Sequence, residues 1–540
     1  MPRSFAPLLA ALAFVLAACP AAEVAATPGD VAAAFATPDR QPTGLCWDGE
    51  RLWLADRLSD RLTALDPATG AALGDLPAPG FVPRGLAFDG EALWCLDAEE
   101  GLIHRVDPGS GVTLRSIWAF GDGPQGLAWD GEALWIADER ADMISQISTA
   151  DGTVIREFPS PSGSPQGLCW DGAHLWCADR GRDRLYMIEP EGGEVLLSLD
   201  APGAYARGLA FDGARLWCVD FQADSVFGLV VDDGVSFKNG PPKDLRLVLH
   251  HETRNYGPGE LLELDVYFAL PDARPNQTLL SEPRFDPPPT DRLADRWGQP
   301  VAHWRRTDLP LATPERVSMS IDVRLMETRW FVFPERVGGL KDIPREVRQR
   351  YLADEDKYRL DDPVIRRAVD AALDGEDRPY WMLRRLYRYV RDHLEYELSG
   401  GWNVAPAVLE RGTGSCSEYS FVFIALCRAA GLPARYVGAV TVRGDDASLD
   451  EVFHRWCEVF LPGYGWIPVD PSGGDQASPA GVAEYFGHLA PRFLVTTQGG
   501  GASEYLGWQY NADERWRSRG PVKVHVETIG EWSPLPAAGD

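Results

Sequence analysis

Three residues in the C-terminal half of the chain have the types and spacing that chemistry through a thioester requires. Cys416 lies in Gly412-Thr413-Gly414-Ser415-Cys416-Ser417-Glu418, where a glycine-rich loop runs into an apolar stretch, 421–430, that Gly431 and Pro433 stop. The pattern predicts a helix beginning at Cys416. Unpaired N–H groups and the helix dipole at such a start stabilise a thiolate. His454 and Asp470 sit in two stretches that flank Leu461-Pro462-Gly463-Tyr464-Gly465, a hairpin pattern. With the turn centred on Pro462, residue 454 opposes 470, 456 opposes 468 and 458 opposes 466. Opposed Cβ atoms are about 4.5–5.5 Å apart, so Asp470 accepts the His454 ring N–H and fixes its tautomer. Nucleophile, base and orienter are then in place: the histidine takes the thiol proton and returns it to the leaving group. Cys457 has the opposite parity and faces away, and Cys427, farther along the same helix, reads as a structural thiol.

The segments Gly414-Ser415-Cys416-Ser417-Glu418-Tyr419-Ser420, Arg428 to Arg435, His454-Arg455-Trp456 and Gly465-Trp466-Ile467-Pro468-Val469-Asp470 resemble the bacterial transglutaminase-like superfamily over residues 336–500. The resemblance implies an α+β, papain-like domain with Cys416, His454 and Asp470 as its triad, acting on protein or peptide amides. That family includes cross-linking enzymes, peptidases, amidases and inactive binding modules, so the acyl acceptor stays open between an amine and water. A noncatalytic envelope scaffold is the competing reading. What separates the two is whether a groove reaches Cys416 or the loop Arg443–Leu449 buries it. An oxyanion hole needs the Cys416 N–H and one upstream donor, for which Trp402 and Asn403 are candidates. With no CxxC pair and no HExxH helix, nothing calls for a metal or an organic cofactor.

Helical spacing over 380–394 aligns Leu383, Leu386, Tyr387, Val390 and Leu394 as a core stripe that packs beneath this site. Upstream, residues 243–335 alternate with strand period and read as a small β-sandwich. Farther upstream, Gly-Leu-x-(Trp/Phe)-Asp-Gly-x-x-Leu-Trp-x-x-Asp starts at Gly44, Gly85, Gly126, Gly167 and Gly208, a period of 41 residues. Each copy holds four strand-like stretches, which predicts a five-bladed all-β propeller over 29–236, with a strand near Val31 completing the last blade. The repeated tryptophans read as packing, and Asp56, Asp97, Asp138, Asp179 and Asp220 as turn caps. Thr43, Arg84, Gln125, Gln166 and Arg207 precede the first strand of each repeat. If that strand is innermost, they ring one mouth of the channel as candidates for a propeller ligand.

The chain as a whole is multidomain. A net charge of -28 over 540 residues excludes a phosphate-backbone partner, since nucleic-acid binding needs clustered Lys and Arg. Residues 1–18 read as an export signal, and Leu16-Ala17-Ala18-Cys19 resembles a lipobox, so Cys19 is expected to carry a lipid that anchors the protein to a membrane of the cell envelope. Without that lipid the protein is secreted. Residues 19–28 form a tether and 501–540 a C-terminal extension. Cys46, Cys95, Cys169, Cys177 and Cys218 fall at equivalent repeat positions and read as small core residues, not as a disulfide set. Oligomeric state is not encoded legibly.

Overall fold

The computed structural model describes residues 26–535 apart from 233, 399–400 and 446. The expected signal segment and Cys19 lie outside the described residues.

Among the described residues the N-terminal region forms five four-stranded antiparallel sheets of propeller-like arrangement. Their first strands are Pro42–Trp47, Pro83–Phe88, Pro124–Trp129, Pro165–Trp170 and Ala206–Phe211. Each touches the first strand of the next sheet, and the fifth touches the first, so they close a ring. Glycine at the third position of each strand makes this approach feasible: a Cβ on Gly44, Gly85, Gly126, Gly167 or Gly208 would fall under 3.0 Å from backbone of the neighbouring first strand. Val31–Ala36 pairs with Ser225–Val230 and supplies the outer strand of the fifth sheet, which ties the two ends of the array together.

The repeat motif has a direct physical basis. In every copy the aspartate of Asp-Gly accepts the indole N–H of the tryptophan five residues on, at 2.7–2.9 Å from Asp48–Trp53 to Asp212–Trp217. The second aspartate of each copy is buried and caps loops: Asp97 accepts from the N–H groups of Phe81, Val82 and Glu99, and Asp220 from those of Tyr205, Gln222 and Ala223.

Residues that follow the ring enter one long strand, Phe237–Ala269, that pairs with Pro314–Trp330 along its first half and with Pro300–Leu309 along its second. Phe237 and Lys238 pair with Trp330 and Arg329 and so belong to this downstream sheet and not to the repeat array. The tail beyond 500 is not an appendage. Ala512–Pro534 runs antiparallel to nearly the whole of Phe237–Ala269, and the two bend together near Gly257 and Gly520. Leu247, Val266, Trp304, Ile321 and Trp532 then share one core. The region expected as a small sandwich, 243–335, instead belongs to one nine-stranded antiparallel sheet that the C-terminal strand joins.

The transglutaminase-like region packs helices against a four-stranded antiparallel sheet in the order Gly465–Val469, His454–Leu461, Ala434–Thr441, Phe493–Gly499. The helix Pro379–His393 buries Leu383, Leu386, Tyr387 and Val390 against the almost fully buried helix Cys416–Ala429. One hydrophobic cluster continues from Trp176 and Leu197 of the fourth repeat sheet into Tyr380, Leu386 and Phe423, so the ring is seated on this domain. The Ala480 N–H donates to the Pro161 carbonyl at 3.0 Å, and Arg384 donates to the Leu196 carbonyl at 3.3 Å.

Candidate active site

Cys416 is the first residue of its helix, and Ser415 and Glu418 form a capping box at that start. Glu418 is fully buried and organises the approach: one oxygen accepts from the Asn403 N–H at 3.1 Å, the other from the Ser415 N–H at 3.2 Å and from Arg411 at 2.8 Å. The helix start is thereby fixed with Cys416 as its first residue, where the helix dipole favours a thiolate.

His454 begins the strand that lies against this helix. Its Nε2 lies 2.6 Å from Asp470 Oδ2, which leaves Nδ1 for the Cys416 thiol, with which the ring is hydrogen-bonded. Trp456 and Phe493 stack on the imidazole with centroids at 5.8 and 5.6 Å and fix its plane. The other Asp470 oxygen accepts from the Ser472 hydroxyl at 2.8 Å and the Gly473 N–H at 3.0 Å.

The hairpin register differs from the expected one by one pair. Cys457 opposes Val469, Glu458 opposes Pro468 and Leu461 opposes Gly465, so the turn centres on Gly463 and not on Pro462. Gly463 and Gly465 both take positive φ, and the Tyr464 N–H closes the turn on the Leu461 carbonyl. Extending this register puts Trp456 opposite Asp470, and His454 reaches the carboxylate along the diagonal. Parity survives because the shift is two residues, so both side chains keep the same face. Cys457 points to the other face, with its sulfur 3.7 Å from the Ser420 carbonyl.

The electrostatics follow from these contacts. Burial pushes the Cys416 thiol up, but the hydrogen bond and charge of His454, then the Tyr510 hydroxyl and the Arg455 N–H, bring it down to about 7. Burial lowers His454, and the Asp470 carboxylate and the thiol overcome that and raise it to about 10. Burial works to raise Asp470, and the charge and hydrogen bond of His454 hold it below its ordinary value. Charge on each of the three favours charge on its neighbour, so a thiolate, an imidazolium and a carboxylate in series are stabilised together. Cys427 lies entirely inside the same helix, where burial drives its thiol far upward.

Sequence reading missed Tyr510. Its hydroxyl lies 3.4 Å from Cys416 Sγ and 2.5 Å from Ser417 Oγ. Gly438 leaves room for the ring, and the fully buried Arg455 lies under it at 4.4 Å, boxed also by Tyr436, Trp402 and Phe421. Only the density of aromatics in Trp508-Gln509-Tyr510 hinted at a packed segment. The two upstream oxyanion candidates fare differently from each other. Asn403 uses its backbone N–H on Glu418, while Trp402 stands edge-on to Tyr510 at 5.8 Å at the rim of the site. Tyr510 contacts the sulfur, and Arg443 is engaged by Asp450 and the Phe453 carbonyl.

A cavity of about 530 Å³ opens beside the buried end of the His454–Asp470 pair. Trp456, Asp470, Tyr485 and Phe493 line one side, and Arg182 and Arg184 from the fourth repeat sheet line the other. The eight described cysteines are all free and buried. The five positions expected to precede the first strands, Thr43, Arg84, Gln125, Gln166 and Arg207, lie inside those strands as their second residues, and Thr43 donates to the Pro83 carbonyl at 2.9 Å.

Residues 366–471, which contain the whole Cys/His/Asp set, match the family model of the transglutaminase-like superfamily. An uncharacterized protein of Haemophilus influenzae is 27% identical over a stretch covering 24% of this chain and 42% of the relative, so the chain spans less than half of that relative's length. Among solved structures, a putative cysteine protease from Cytophaga hutchinsonii aligns over 55% of this chain and 100% of its own, at 14% identity and a TM-score of 0.38. Glutaminyl cyclase from Myxococcus xanthus aligns over 38% of this chain and 97% of its own, at 18% identity and a TM-score of 0.34.

Proposed function

We propose that the protein is an exported cysteine enzyme that cleaves or transfers protein and peptide amides through a thioester on Cys416, with a closed five-bladed propeller docking a partner or substrate. The observation that carries this reading is the Cys416 thiol at a helix start, beside a His454 that Asp470 holds at 2.6 Å. In the first step the Cys416 thiolate attacks the amide carbon, and the imidazolium of His454 gives its proton to the leaving nitrogen as the C–N bond breaks. In the second step neutral His454 takes a proton from water or an amine as that acceptor attacks the thioester. The carboxylic acid or new amide leaves, and thiolate and imidazolium are restored. The Cys416 N–H would donate to the negative charge that develops on the carbonyl oxygen.

The seating of the ring against the domain, with Arg182 and Arg184 facing the cavity beside Asp470, supports a propeller role in presenting the substrate. A lipid on Cys19 would hold the enzyme at a membrane of the cell envelope. Capture of envelope peptides on the native chain, followed by mass spectrometry of Cys416, tests the reading. An acyl adduct on Cys416 that hydroxylamine releases is expected with the native chain and not with Cys416→Ser. No adduct under any envelope extract, with Cys416 still alkylatable, would favour the scaffold reading instead.

A further inference from the structure

The ring mouth carries chemistry that the thioester site does not use. Arg207 reaches Gln125 Oε1 at 3.5 Å, although their sheets are separated by an intervening one, so both side chains extend over the axis of the ring. The same guanidinium lies 3.4 Å from the Tyr205 hydroxyl and packs over the Tyr205 and Phe221 rings at 5.0 and 5.6 Å. Arg180 covers Tyr205 from its own sheet at 4.7 Å and is already paired with Glu139 at 2.9 Å. Arg84 faces Arg207 and Arg57, and burial together with these two positive charges lowers it to about 10. The carboxylate acting on Arg84 is Glu139, which Arg180 already engages.

Hydrogen bonding at the mouth is incomplete in a patterned way. Arg84 Nε, Arg207 Nε and Gln166 Oε1 are buried atoms without a partner, and Gln166 is 1% exposed. A buried polar atom left unpaired is destabilising, and like charges facing one another add to that cost. Here Arg84 and Arg207 act on each other as like charges, each with an unpaired buried Nε, and Gln166 at the equivalent position of its own strand adds an unpaired amide oxygen, in a chain whose overall charge is -28. Neither packing nor the repeat explains this. The equivalent position in the first repeat is Thr43, whose hydroxyl is satisfied by backbone, so the ring closes without charge there.

We propose that this mouth is a binding site for a small ligand carrying a doubly charged oxyanion, a phosphate group or a pair of carboxylates. Arg84 and Arg207 hold the oxyanion from opposite sides of the axis, and Gln166 accepts from a hydroxyl or N–H of the same ligand. Planar guanidinium groups donate in pairs to such oxygens, and a dianion relieves the repulsion that a single negative charge leaves partly unbalanced.

Thermal unfolding of the full chain tests the site without turnover, so its outcome is independent of what Cys416 does. Inorganic phosphate and succinate are titrated against sodium chloride at matched ionic strength. A saturable rise in Tm with at least one of the two dianions is expected in the native chain. Each of Arg84→Gln and Arg207→Gln is expected to weaken the midpoint by about tenfold or more, as loss of a charge-assisted hydrogen bond implies. Arg215→Gln, exposed at the opposite end of the same sheet from Arg207, keeps the native response. In low salt without dianion, Arg84→Gln should melt no lower than the native chain, because it removes a like-charge contact; a purely structural arginine would lower Tm. Two results overturn the proposal: no dianion-specific saturable shift, or an undiminished shift in the Arg84→Gln/Arg207→Gln double variant.

Discussion

His454→Gln should disarm Cys416 by a calculable amount. In the native site the thiol titrates at about 7 because His454 outweighs burial. Removing the imidazolium returns the thiol at least towards its ordinary 9.0, since burial persists and only Tyr510 and the Arg455 N–H still oppose it. At pH 7 a thiol of pKa 7 is about half ionised and one of pKa 9 about 1% ionised, so alkylation at neutral pH should slow about fifty-fold. The assay is the rate of iodoacetamide labelling at Cys416, followed by mass spectrometry from pH 5 to 11. Comparing each protein with itself across pH separates ionisation from access, which matters for a sulfur on a residue only 6% exposed. Above pH 10 the variant should label at least as fast as the native chain, because a thiolate of higher pKa is the stronger nucleophile. Cys427 is the internal control and should stay unlabelled in both. The reasoning fails if the native midpoint lies near 9, if the variant's midpoint does not move, or if Cys427 labels as fast as Cys416.

Asp470→Asn keeps the shape of the carboxylate but not its charge, so His454 loses the partner that raises it; turnover measured on any amide substrate should fall about 100-fold or more. Tyr510→Phe removes the hydroxyl beside the sulfur and should raise the alkylation midpoint of Cys416, by less than His454→Gln does, because the tyrosine is the smaller of the two influences. An unchanged or lower midpoint would contradict that role. Gly126→Ala would put a methyl group under 3.0 Å from Gln166 backbone and should destabilise the ring by about 1–3 kcal/mol, read as a lower Tm, whereas Gly74→Ala on an open outer strand should be near neutral. His174 is lowered by burial but raised overall to about 9 by Asp171 and Glu335, across the boundary between ring and downstream chain. Its folded value lies above the unfolded 6.5, so the stability it adds is complete below pH 6.5 and lost as pH rises through about 9. His174→Gln should flatten that part of a Tm against pH profile, and high salt should weaken the effect because Glu335 is exposed.

What could be read from sequence and what could not divides along the distance between partners. The 41-residue repeat was legible because its determinants are local: the Asp-Gly turn, the tryptophan five residues on and the capping aspartate all lie within one copy. The His454–Asp470 pairing was legible for a related reason. A one-pair error in the turn moves partners by two residues, and strand periodicity keeps them on the same face, so the diagonal contact at 2.6 Å replaces the direct one. Tyr510 escaped because its contact with Cys416 spans 94 residues and depends on a strand that pairs with the chain some 250 residues earlier. Nothing local distinguishes a tyrosine that will meet a sulfur from one that will face solvent.

That same long pairing gives the C-terminal strand a part in the site. Ala512–Pro534 is pinned along Phe237–Ala269, and Tyr510 stands two residues before it, so this strand pairing fixes where the tyrosine meets Cys416. Arg455 holds the ring from below while donating to the Trp508 carbonyl, which anchors the approach to Tyr510 from the strand that also carries His454. The histidine strand and the tyrosine segment are thus coupled through one buried guanidinium. Loosening either the long strand pairing or Arg455 should therefore reach the thiol through Tyr510 before it reaches the His454–Asp470 pair, which is held separately by Trp456, Phe493 and the Gly473 N–H.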